Sequence, residues 1–551
     1  MPPRRLGDAS WGVVPLPGAR EIAAWLEELA DRVAFAQEGQ WKARAYREAA
    51  KRIAAGFVDL SDPQGLEQAP GIGPKIAGKI RGMLQGELPP SLLRLRREQP
   101  PELGALLALP GVGPTTARKL WQAGIGTLAE LERRIQGDGV LAGIAQSQRS
   151  HLERAFKERG RGIPLPDLLA ATADLQRTVP GLEPAGALRL LEPTVPSPVW
   201  IAPDDAHSRA AWREMQPYAL RGGYPIAPES LVFVPEGALG PAVLAATGPA
   251  AFLAEAREAL GRRGLRLEAQ GLFQGEALVA CATEEDLFRR AGMEPVPAPL
   301  RVLSPAQRLA APRRVAGDLH THSTWSDGAE SIRTMAAAAV ARGYRYLAIT
   351  DHSQGLQIAN GLTPERYRQQ REEIREIQAE LPDGFRLLQG CEVDIHPDGS
   401  LDLPDGLLGE LDVVIASVHG HFDQGAEEAT ARLLRAIRHP LVSAIGHPGA
   451  RKLGLRPPIA ADWARVFAAA RESGTALELN ASPRRLDLDY RWLAGIDLSG
   501  LSFQIDTDAH AVEELGYMPL GIAQAQKAGI AAKDVRNAGP VEQVLLRKLR
   551  P

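Results

Sequence analysis

From about residue 315 onward, short apolar segments with β-strand composition alternate some seven times with helical segments. The clearest strand-like runs are YRYLAIT, FRLLQG, LDVVIAS, LVSAIG, TALELN and LSFQID. Alternation of this kind favours a parallel β/α barrel, whose functional side chains lie at the carboxyl ends of the strands. Because 551 residues exceed what one hydrophobic core usually holds, we expect further domains ahead of the barrel.

Potential metal ligands stand at or just after these apolar runs. They are His320, His322, Asp327, His352, Glu392, His419, His447, Asp508 and His510. Nine of the eleven histidines follow residue 319, so the clustering is not diffuse composition. Any one of these histidines alone would more often be a packed core residue. As a set directed to one strand-end face, they predict a multinuclear metal centre that activates water and binds phosphate oxygens.

An internal repeat lies near the amino terminus, where APGIGPKIAGKI at 69–80 recurs as LPGVGPTTARKL at 109–120. Each copy predicts a helix, a tight turn whose glycines supply positive φ, and a second helix whose first N–H groups can bind a phosphate. The candidate DNA contacts are Gly71, Gly73, Lys75, Lys79, Gly111, Gly113, Arg118 and Lys119. The alternative is a Gly-Pro turn between packed helices. LAGIAQSQ at 141–148 is a candidate third, degenerate copy.

The rest of the sequence sets broader limits. Residues 160–300 alternate strand-like runs (PVWIAP, SLVFVP, ALVACA) with helical ones, which predicts an α+β region, and the Pro-rich stretch 293–314 predicts a linker. Cys281 and Cys391 cannot form a disulfide framework, which favours a reducing cytoplasm. No apolar run reaches the roughly 18 residues of a membrane helix, so we expect no membrane partner.

Residues 315–540 resemble a PHP (polymerase and histidinol phosphatase) domain, because HTHS, SDG, TDHS, GCEVDI, SVHGH, GHPGAR and DTDAH match in order and spacing. With the helix-hairpin-helix repeats ahead of them, the whole chain resembles a bacterial family X DNA polymerase. The resemblance implies a multidomain fold with an all-α amino-terminal part, a central α+β polymerase-like (nucleotidyltransferase) remnant and a PHP distorted β/α barrel. We expect helical domains at 1–90 and 91–165, palm and thumb at 166–300, a linker at 301–314 and the barrel at 315–551.

The resemblance also implies how the ligands are shared among three divalent metal ions. His320 and His322 would bind the first with Glu392 and Asp508, and Glu392 would bridge to the second with His419 and His447. Asp327, His352 and His510 would hold the third. The family favours Mn²⁺, and mixed imidazole and carboxylate ligation also suits Zn²⁺ or Fe²⁺. His421 and Arg451 are candidate catalytic groups, as leaving-group donor and phosphate contact; Arg484 and Arg485 are further candidate phosphate contacts.

The central region departs from the family at the residues that carry polymerase chemistry. The motif serine position is Ala187, Arg189 remains, and the second arginine position is Leu190. The three metal-binding aspartates fall on Ser197, Val199 and Ser230. Without them nothing neutralises the triphosphate, which predicts an inactive polymerase site. Asp204 and Asp205 lie close enough to the expected pair to leave residual polymerase function as an alternative.

The sequence therefore predicts a cytoplasmic, monomeric, metal-dependent phosphodiesterase that acts on gapped or 3′-ended DNA without reading sequence. Family resemblance implies 3′→5′ exonuclease action, with abasic endonuclease or 3′-end cleaning as variants, in base excision or gap repair. Lys79 matches the family's lyase lysine, although a phosphate contact is the simpler role. The competing hypotheses are a gap-filling polymerase with an attached nuclease, a phosphatase resembling histidinol phosphatase, and a non-catalytic DNA-end scaffold.

Overall fold

The computed structural model of the protein describes residues 17–54, 58–60, 62–69, 71–85, 88–107, 109, 112–136, 149, 152–153, 156–157, 162–214, 218–219 and 225–545. These residues divide into two compact units, one ending at Phe156 and the other beginning at Lys157. None of the helices within these ranges combines the length and the apolarity that a membrane span requires.

The first unit is helical throughout its described part. Its α-helices are Pro17–Ala36, Gln40–Ala54, Pro74–Leu84, Pro90–Glu98, Leu103–Leu107, Pro114–Gln122 and Leu128–Gln136, with a 3₁₀ turn at Gly65–Gln68. The second helix of each repeat begins at a proline, which needs no N–H partner in the first turn. A helix precedes the turn of the second repeat, but only the 3₁₀ turn precedes that of the first. The candidate third copy at 141–148 lies outside the described residues.

The second unit begins with a mixed α and β part that we call the central region, the described residues from 162 to 311. Val199–Pro203 is the middle strand of one three-stranded sheet, antiparallel to Glu183–Ala185 and parallel to Leu231–Val234. A second, antiparallel sheet has the strands Arg266–Glu268, Gly271–Gln274 and Ala277–Val279. The strands predicted in PVWIAP, SLVFVP and ALVACA are therefore observed.

Short two-stranded pairs and helices complete the central region. The pairs are Ile163–Pro164 with Thr194–Val195 and Tyr218–Ala219 with Pro225–Ile226. The helices are Leu165–Thr178, Gly186–Arg189, Ala206–Glu214, Leu239–Thr247, Ala250–Gly261, Glu284–Ala291 and Pro305–Ala310, with 3₁₀ turns at Pro228–Ser230, Glu236–Ala238 and Ala298–Val302.

The predicted linker is a folded connector. Ala298–Val302 and Pro305–Ala310 are helical, and Ser304 caps the second helix in a capping box with Gln307. Leu300, Leu303 and Ala311 form a small buried cluster. Prolines at the first turns of both helices start them rather than break them, which explains why a Pro-rich sequence is ordered here.

The rest of the second unit contains a seven-stranded parallel sheet that curls into a nearly closed barrel, as the alternation predicts. Its strands in spatial order are β1 Gly317–Thr321, β2 Tyr346–Ile349, β3 Arg386–Asp394, β4 Val413–Ser417, β5 Ala444–Ile445, β6 Ala476–Asn480 and β7 Phe503–Asp506. The α-helices are Ile332–Ala341, Pro364–Gln378, Asp405–Leu408, Ala426–Ile437, Trp463–Ser473, Tyr490–Leu493, Met518–Lys527 and Val541–Leu545. The 3₁₀ turns are Gln357–Ala359, Val512–Tyr517, Ala532–Asp534 and Arg536–Ala538.

Side chains complete the hydrogen bonding between the two end strands, β1 and β7. The Asn537 amide nitrogen donates to the carbonyls of Gly317 (2.9 Å) and Ile505 (2.6 Å), and its oxygen accepts from the Ile505 N–H (3.0 Å). Asp506 accepts from the Leu319 N–H at 2.9 Å, and Asp318 accepts from the Thr507 hydroxyl at 2.6 Å. These fully buried groups hold β1 against β7 and so fix the ligands that follow both strands.

We expect Asn537→Ala to lower the free energy of unfolding by roughly 2–4 kcal/mol, because it leaves buried backbone groups of Gly317 and Ile505 without partners. Chemical unfolding of the full chain measures the change. Gln543→Ala, at an exposed position on the last helix, is the control and should stay within about 0.5 kcal/mol of the unsubstituted chain. An equally small effect of Asn537→Ala would contradict this role.

Candidate metal centre and nucleic-acid contacts

The nine predicted ligands converge at the carboxyl ends of the barrel strands. His320 lies in β1 and Glu392 in β3, and the other ligands follow the ends of β1, β2, β4, β5 and β7. Eight of the nine form three overlapping groups, and within each group all the ligand atoms lie within 4.8 Å of one another. The ninth, His447, is outside these groups but lies beside Glu392. The groups are His320, His322, Glu392 and Asp508; His322, Asp327, His352 and His510; and His352, Glu392 and His419.

Glu392 is the centre of the arrangement. Its Oε1 lies 2.9 Å from His447 Nε2 and 3.2 Å from His419 Nε2, and its Oε2 lies 2.9 Å from His352 Nδ1. The same Oε2 is 3.4 Å from His320 Nε2 and 3.6 Å from His322 Nε2. One carboxylate therefore faces five imidazoles from both of its oxygens, which is the geometry of a bridging ligand.

These short distances are not hydrogen bonds, because the donors and acceptors are not aligned. Nine buried nitrogen and oxygen atoms of the cluster have no hydrogen-bond partner among the described residues. They belong to His320, His322, His352, Glu392, His419 and His447. A buried polar atom without a partner costs about 1–3 kcal/mol of folding free energy. Nine such atoms in one cluster therefore indicate that the site binds a ligand that they contact. Lone pairs that converge on common points fit divalent cations.

Two of the ligands have backbones in the left-handed region, where side chains other than glycine are rare. The φ angle is 57° at Asp508 and 27° at His447. Strained backbones of this kind persist where the surrounding structure holds a functional side chain in place. Gly446, beside His447, has no room for a side chain, because a Cβ there would lie 2.3 Å from the Ser417 hydroxyl.

The protonation of the cluster follows from its charges. Burial, together with neighbouring imidazoles, lowers the pKa of His322 to about 3, and burial and Arg485 lower the pKa of His447 to about 4. Burial acts in the same direction at His419, but the Glu392 carboxylate prevails and raises its pKa to about 9. Neighbouring carboxylates also raise the pKa of His320, and the pKa of His510 to about 9. A cation bound by these residues would displace the protons of His320, His419 and His510, whereas His322 and His447 are already in the neutral form that ligates.

A second layer of polar groups orients the ligands, and our sequence reasoning missed it. Glu478 in β6 lies 2.6 Å from His320 Nδ1, so Nε2 of that imidazole points to the centre. Asp394 contacts His419 Nδ1 in the same way. Two signals in the sequence could have found them: Asp394 shares a strand face with Glu392 two residues earlier, and Glu478 and Asn480 interrupt an apolar strand at alternate positions.

The two predicted catalytic groups, Arg451 and His421, lie in different surroundings. The Arg451 side chain is 5% exposed, and its guanidinium is bonded to Asp489 and to the carbonyls of Arg485 (2.8 Å) and Leu486. All of these partners hold the guanidinium inside the protein, and the phosphate contact of Arg451 stays a prediction. Arg485 is the arginine that reaches the centre, with Nε 3.0 Å from Asp508 Oδ2. His421 is exposed, and its φ of 54° is in the left-handed region.

The predicted DNA contacts in the repeats divide into two kinds. Lys75 is exposed at the start of its helix and Lys119 is exposed in the last turn of its helix. Gly73 and Gly113 cap the starts of those helices with open space around them. Lys79 is half-buried and donates to the Ser91 hydroxyl at 3.2 Å. Arg118 donates to the Phe35 carbonyl at 2.8 Å and lies over the Phe35 ring, so its guanidinium already has a partner and its phosphate contact stays a prediction.

Among the turn glycines that the structure describes, the prediction of positive φ holds at Gly71 and fails at Gly73 and Gly113. The φ angle is 81° at Gly71 but −81° at Gly73 and −86° at Gly113, which any residue can adopt. Gly73 and Gly113 instead leave open space in front of each helix, because they have no side chain, and a ligand can approach the backbone there. Gly111 lies outside the described residues.

In the central region, the positions that match the polymerase motifs are uncharged or engaged elsewhere. Ser197 is exposed, Val199 half-buried and Ser230 buried. Arg189 pairs with Glu183 (3.0 Å) and Glu284 (2.6 Å). The two aspartates that could replace the missing carboxylates also have other partners. Asp204 pairs with Arg209, and Asp205 accepts from the N–H of Ser208 at 2.8 Å at the start of a helix.

Comparison with known protein families agrees with this division of the chain. A helix-hairpin-helix domain model matches residues 17–87, and a SAM-like helix-hairpin-helix tandem matches 103–138. A DNA polymerase beta thumb model matches 242–302 and a PHP domain model matches 318–482. The resemblance of the barrel to a PHP domain and of the repeats to helix-hairpin-helix motifs is confirmed.

The chain is also similar to curated proteins. It is 32% identical over 563 residues to a protein of Bacillus subtilis (strain 168) named DNA polymerase/3′-5′ exonuclease PolX, and the match covers 95% of this chain and 98% of that one. A probable phosphatase of Thermoanaerobacter sp. (strain X514) is 30% identical over 246 residues, 42% of this chain and 95% of the relative. A probable phosphatase of Syntrophotalea carbinolica is 36% identical over 172 residues, 30% of this chain and 65% of the relative.

We expect Asp394→Asn to weaken divalent metal binding by roughly 10–100-fold, because His419 loses the carboxylate that orients its ring. Calorimetric titration of the metal-free chain with Mn²⁺ measures the affinity. The matched control is Asp398→Asn, which removes an exposed carboxylate four residues away that pairs with Arg435. Equal affinities for the two variants would contradict the orienting role of Asp394.

Proposed function

Because this chain belongs to the PolX family of DNA polymerase/3′-5′ exonucleases, we propose that it is a DNA-repair nuclease. Its PHP barrel hydrolyses DNA phosphodiesters with 3′→5′ polarity in a metal-dependent reaction. The observation that carries the proposal is the set of partnerless ligand atoms around Glu392. Substrates are gapped or 3′-ended duplexes, and abasic sites or blocked 3′ ends are further substrates of the same site. We place the enzyme in the cytoplasm as a monomer.

Divalent cations would supply Lewis-acid activation of water and charge neutralisation of the phosphate. The ligands for three of them are the nine residues at the strand ends, grouped around Glu392 as the resemblance implies. Mn²⁺ is the metal we propose, since imidazoles and carboxylates together suit it, and Zn²⁺ and Fe²⁺ are the alternatives. Asp327 and His510 are about one-third exposed, whereas His320, His322 and Glu392 are fully buried. DNA would therefore approach from the side of Asp327 and His510.

The chain's own residues have distinct tasks in this reaction. Glu478 and Asp394 hold His320 and His419 so that one defined nitrogen of each ring faces the centre. Arg485 adds a positive charge beside Asp508 and can contact a phosphate oxygen of the substrate. His421 is exposed close in sequence to His419, from where it can donate a proton to the leaving group.

The helix-hairpin-helix repeats are the part of the chain that we propose holds DNA. Lys75 and Lys119 offer exposed charges, and the helix starts at Pro74 and Pro114 offer N–H groups to backbone phosphates. Contacts of this kind are independent of base sequence. This grip favours a DNA substrate over the small phosphate esters that a phosphatase would take, although the probable phosphatases match the barrel.

We propose that the polymerase site is inactive. Catalysis of nucleotidyl transfer needs carboxylates that hold two magnesium ions, and Ser197, Val199 and Ser230 cannot provide them. Asp204 and Asp205 are used in an ion pair and a helix cap. Arg189, the remaining motif arginine, binds two glutamates inside the protein.

We expect the double variant His322→Ala, Glu392→Ala to lose roughly a thousandfold or more of nuclease activity, because several kcal/mol of metal stabilisation disappear. Its affinity for the same DNA should not change. Degradation of an end-labelled duplex and fluorescence anisotropy measure the two properties. The control His439→Ala, Glu427→Ala removes an imidazole and a carboxylate from residues that pair with Asp405 and Arg465, away from the cluster. Undiminished cleavage by the first variant would contradict the assignment of the metal site.

For the repeats, we expect Lys75→Ala with Lys119→Ala to weaken binding of any duplex sequence and to reduce the slope of log affinity against log salt by about 2, one for each lost phosphate contact. Anisotropy titrations between low and moderate salt measure the slope. Lys533→Ala with Arg386→Ala is the control, since both residues are exposed near the amino-terminal ends of the barrel strands. An unchanged slope in the first variant would rule out these contacts.

A further inference from the structure

The central region contacts the barrel through a docking loop, residues 190–192, which begins at the last position of the degenerate polymerase motif. The ammonium of Lys527, on a barrel helix, donates to the carbonyl of Leu191 at 2.9 Å and to Glu192 Oε1 at 3.1 Å. Gln524 donates to the same carbonyl at 3.1 Å. The Lys527 side chain is 0% exposed and that of Glu192 is 20% exposed, so the ion pair is largely buried. The residues just after the motif positions Ala187, Arg189 and Leu190 thus contact the barrel.

Apolar packing surrounds these polar contacts. Leu191 is buried despite a φ of 57°, an unfavourable backbone for a leucine. It belongs to one continuous buried cluster with barrel side chains, which are Leu453, Leu486, Leu520 and Ala523. The two parts of this unit therefore share a hydrophobic core.

The central region contacts the barrel helix Met518–Lys527 and also a bridging segment, residues 482–490. Arg484 pairs with Asp167 at 2.9 Å, and the Tyr490 hydroxyl donates to Glu192 at 2.9 Å. Leu486 lies in the shared core. Lys527 also lies over the Tyr490 ring, 4.0 Å from its centroid. Contacts at the beginning, middle and end of the segment thus come from the central region.

The same bridging segment carries the arginine that reaches the metal centre. Arg485 Nε lies 3.0 Å from Asp508 Oδ2, and the Asn480 amide lies 3.2 Å from that same oxygen. The other oxygen, Oδ1, is 3.2 Å from His322 Nε2. Arg485 and Asn480 therefore decide which oxygen of Asp508 faces the cluster. Arg485 stands between Arg484 and Leu486, so its position depends on the contacts that hold those two residues.

We propose that the polymerase-derived central region is a positioning element for the nuclease centre: the docking loop holds the bridging segment, which holds Arg485 against Asp508. This inference rests on the proposed nuclease function. It assigns a structural role to a polymerase-like region that we propose is catalytically inactive. A buried ion pair such as Lys527 with Glu192 contributes little net stability but favours one arrangement over others. Burial lowers the pKa of Lys527 to about 8 even beside Glu192, which agrees with a contact that serves geometry.

The test compares three forms of the full chain: unsubstituted, Glu192→Gln with Lys527→Met, and Glu258→Gln with Arg262→Met. The first pair of changes removes the buried ion pair without leaving a lone charge. The second removes an ion pair of the same charges that is 63–73% exposed on the central region. Mn²⁺ affinity is measured by calorimetry, and kcat and KM for bis(4-nitrophenyl) phosphate are measured because this small diester needs no DNA grip. The thermal midpoint checks folding.

We expect the docking variant to bind Mn²⁺ about tenfold more weakly and to lose about tenfold in kcat, with KM for the diester nearly unchanged. The exposed-pair control should stay within twofold. Tyr490→Phe removes a single contact to Glu192 and should show the same pattern at about threefold, which keeps the test decisive if the double variant unfolds. Arg485→Met should weaken Mn²⁺ binding as much as the docking variant does, and Arg485→Lys should recover part of that loss.

Docking variants that fold and stay within twofold of the unsubstituted chain in both readouts would overturn the inference while leaving the nuclease proposal intact. A loss confined to the thermal midpoint would overturn it as well, because that is the mark of a purely structural contact. An unsubstituted chain that neither binds Mn²⁺ nor cleaves the diester would overturn the proposed function together with this inference.

Discussion

A fully buried carboxylate that faces five imidazoles is the interaction on which the rest of the barrel depends. Glu392 has no hydrogen-bond donor among the described residues, and neither of its oxygens is exposed. Left without positive charge, such a group would cost several kcal/mol, so its burial is sustainable only with protonated imidazoles or bound cations around it. Protonated imidazoles supply only part of that charge, because the pKa values of His322 and His447 are lowered to about 3 and about 4, so these two rings are neutral at neutral pH and can ligate cations.

The fold can hold this arrangement because the strands are fixed at both edges of the sheet. Every strand from β1 to β7 contributes a ligand or an orienting residue near its carboxyl end, so a shift of one strand would misplace part of the centre. The contacts of Asn537, Asp318 and Asp506 fix β1 against β7. The bridging segment, supported by the central region, fixes Arg485 beside Asp508. Rigidity of the surroundings is thus a requirement of the ligand geometry.

Sequence predicted the parts of this protein that follow from periodicity and order. The strands of the barrel and the convergence of their terminal ligands could be anticipated, because parallel strands all end at one face. The orientation of long side chains could not. Arg451 and Arg118 resemble phosphate contacts in the sequence, but each donates to a backbone carbonyl that is distant in sequence. The acceptor is Leu486 for Arg451 and Phe35 for Arg118. The role of Glu478 could not be predicted either, because its partner, His320, is 158 residues away in the sequence.

The central region shows how a fold can outlast its chemistry. Its three-stranded sheet persists although the carboxylate positions hold Ser197, Val199 and Ser230, and the loop after the motif contacts the barrel. The most direct test of the account is an assay of the purified chain with Mn²⁺ on an end-labelled, one-nucleotide-gapped duplex, with and without dNTPs. The account predicts a 3′→5′ ladder that dNTPs do not change and a chelator abolishes. Extension of the primer, or an uncleaved strand in the presence of metal, would contradict it.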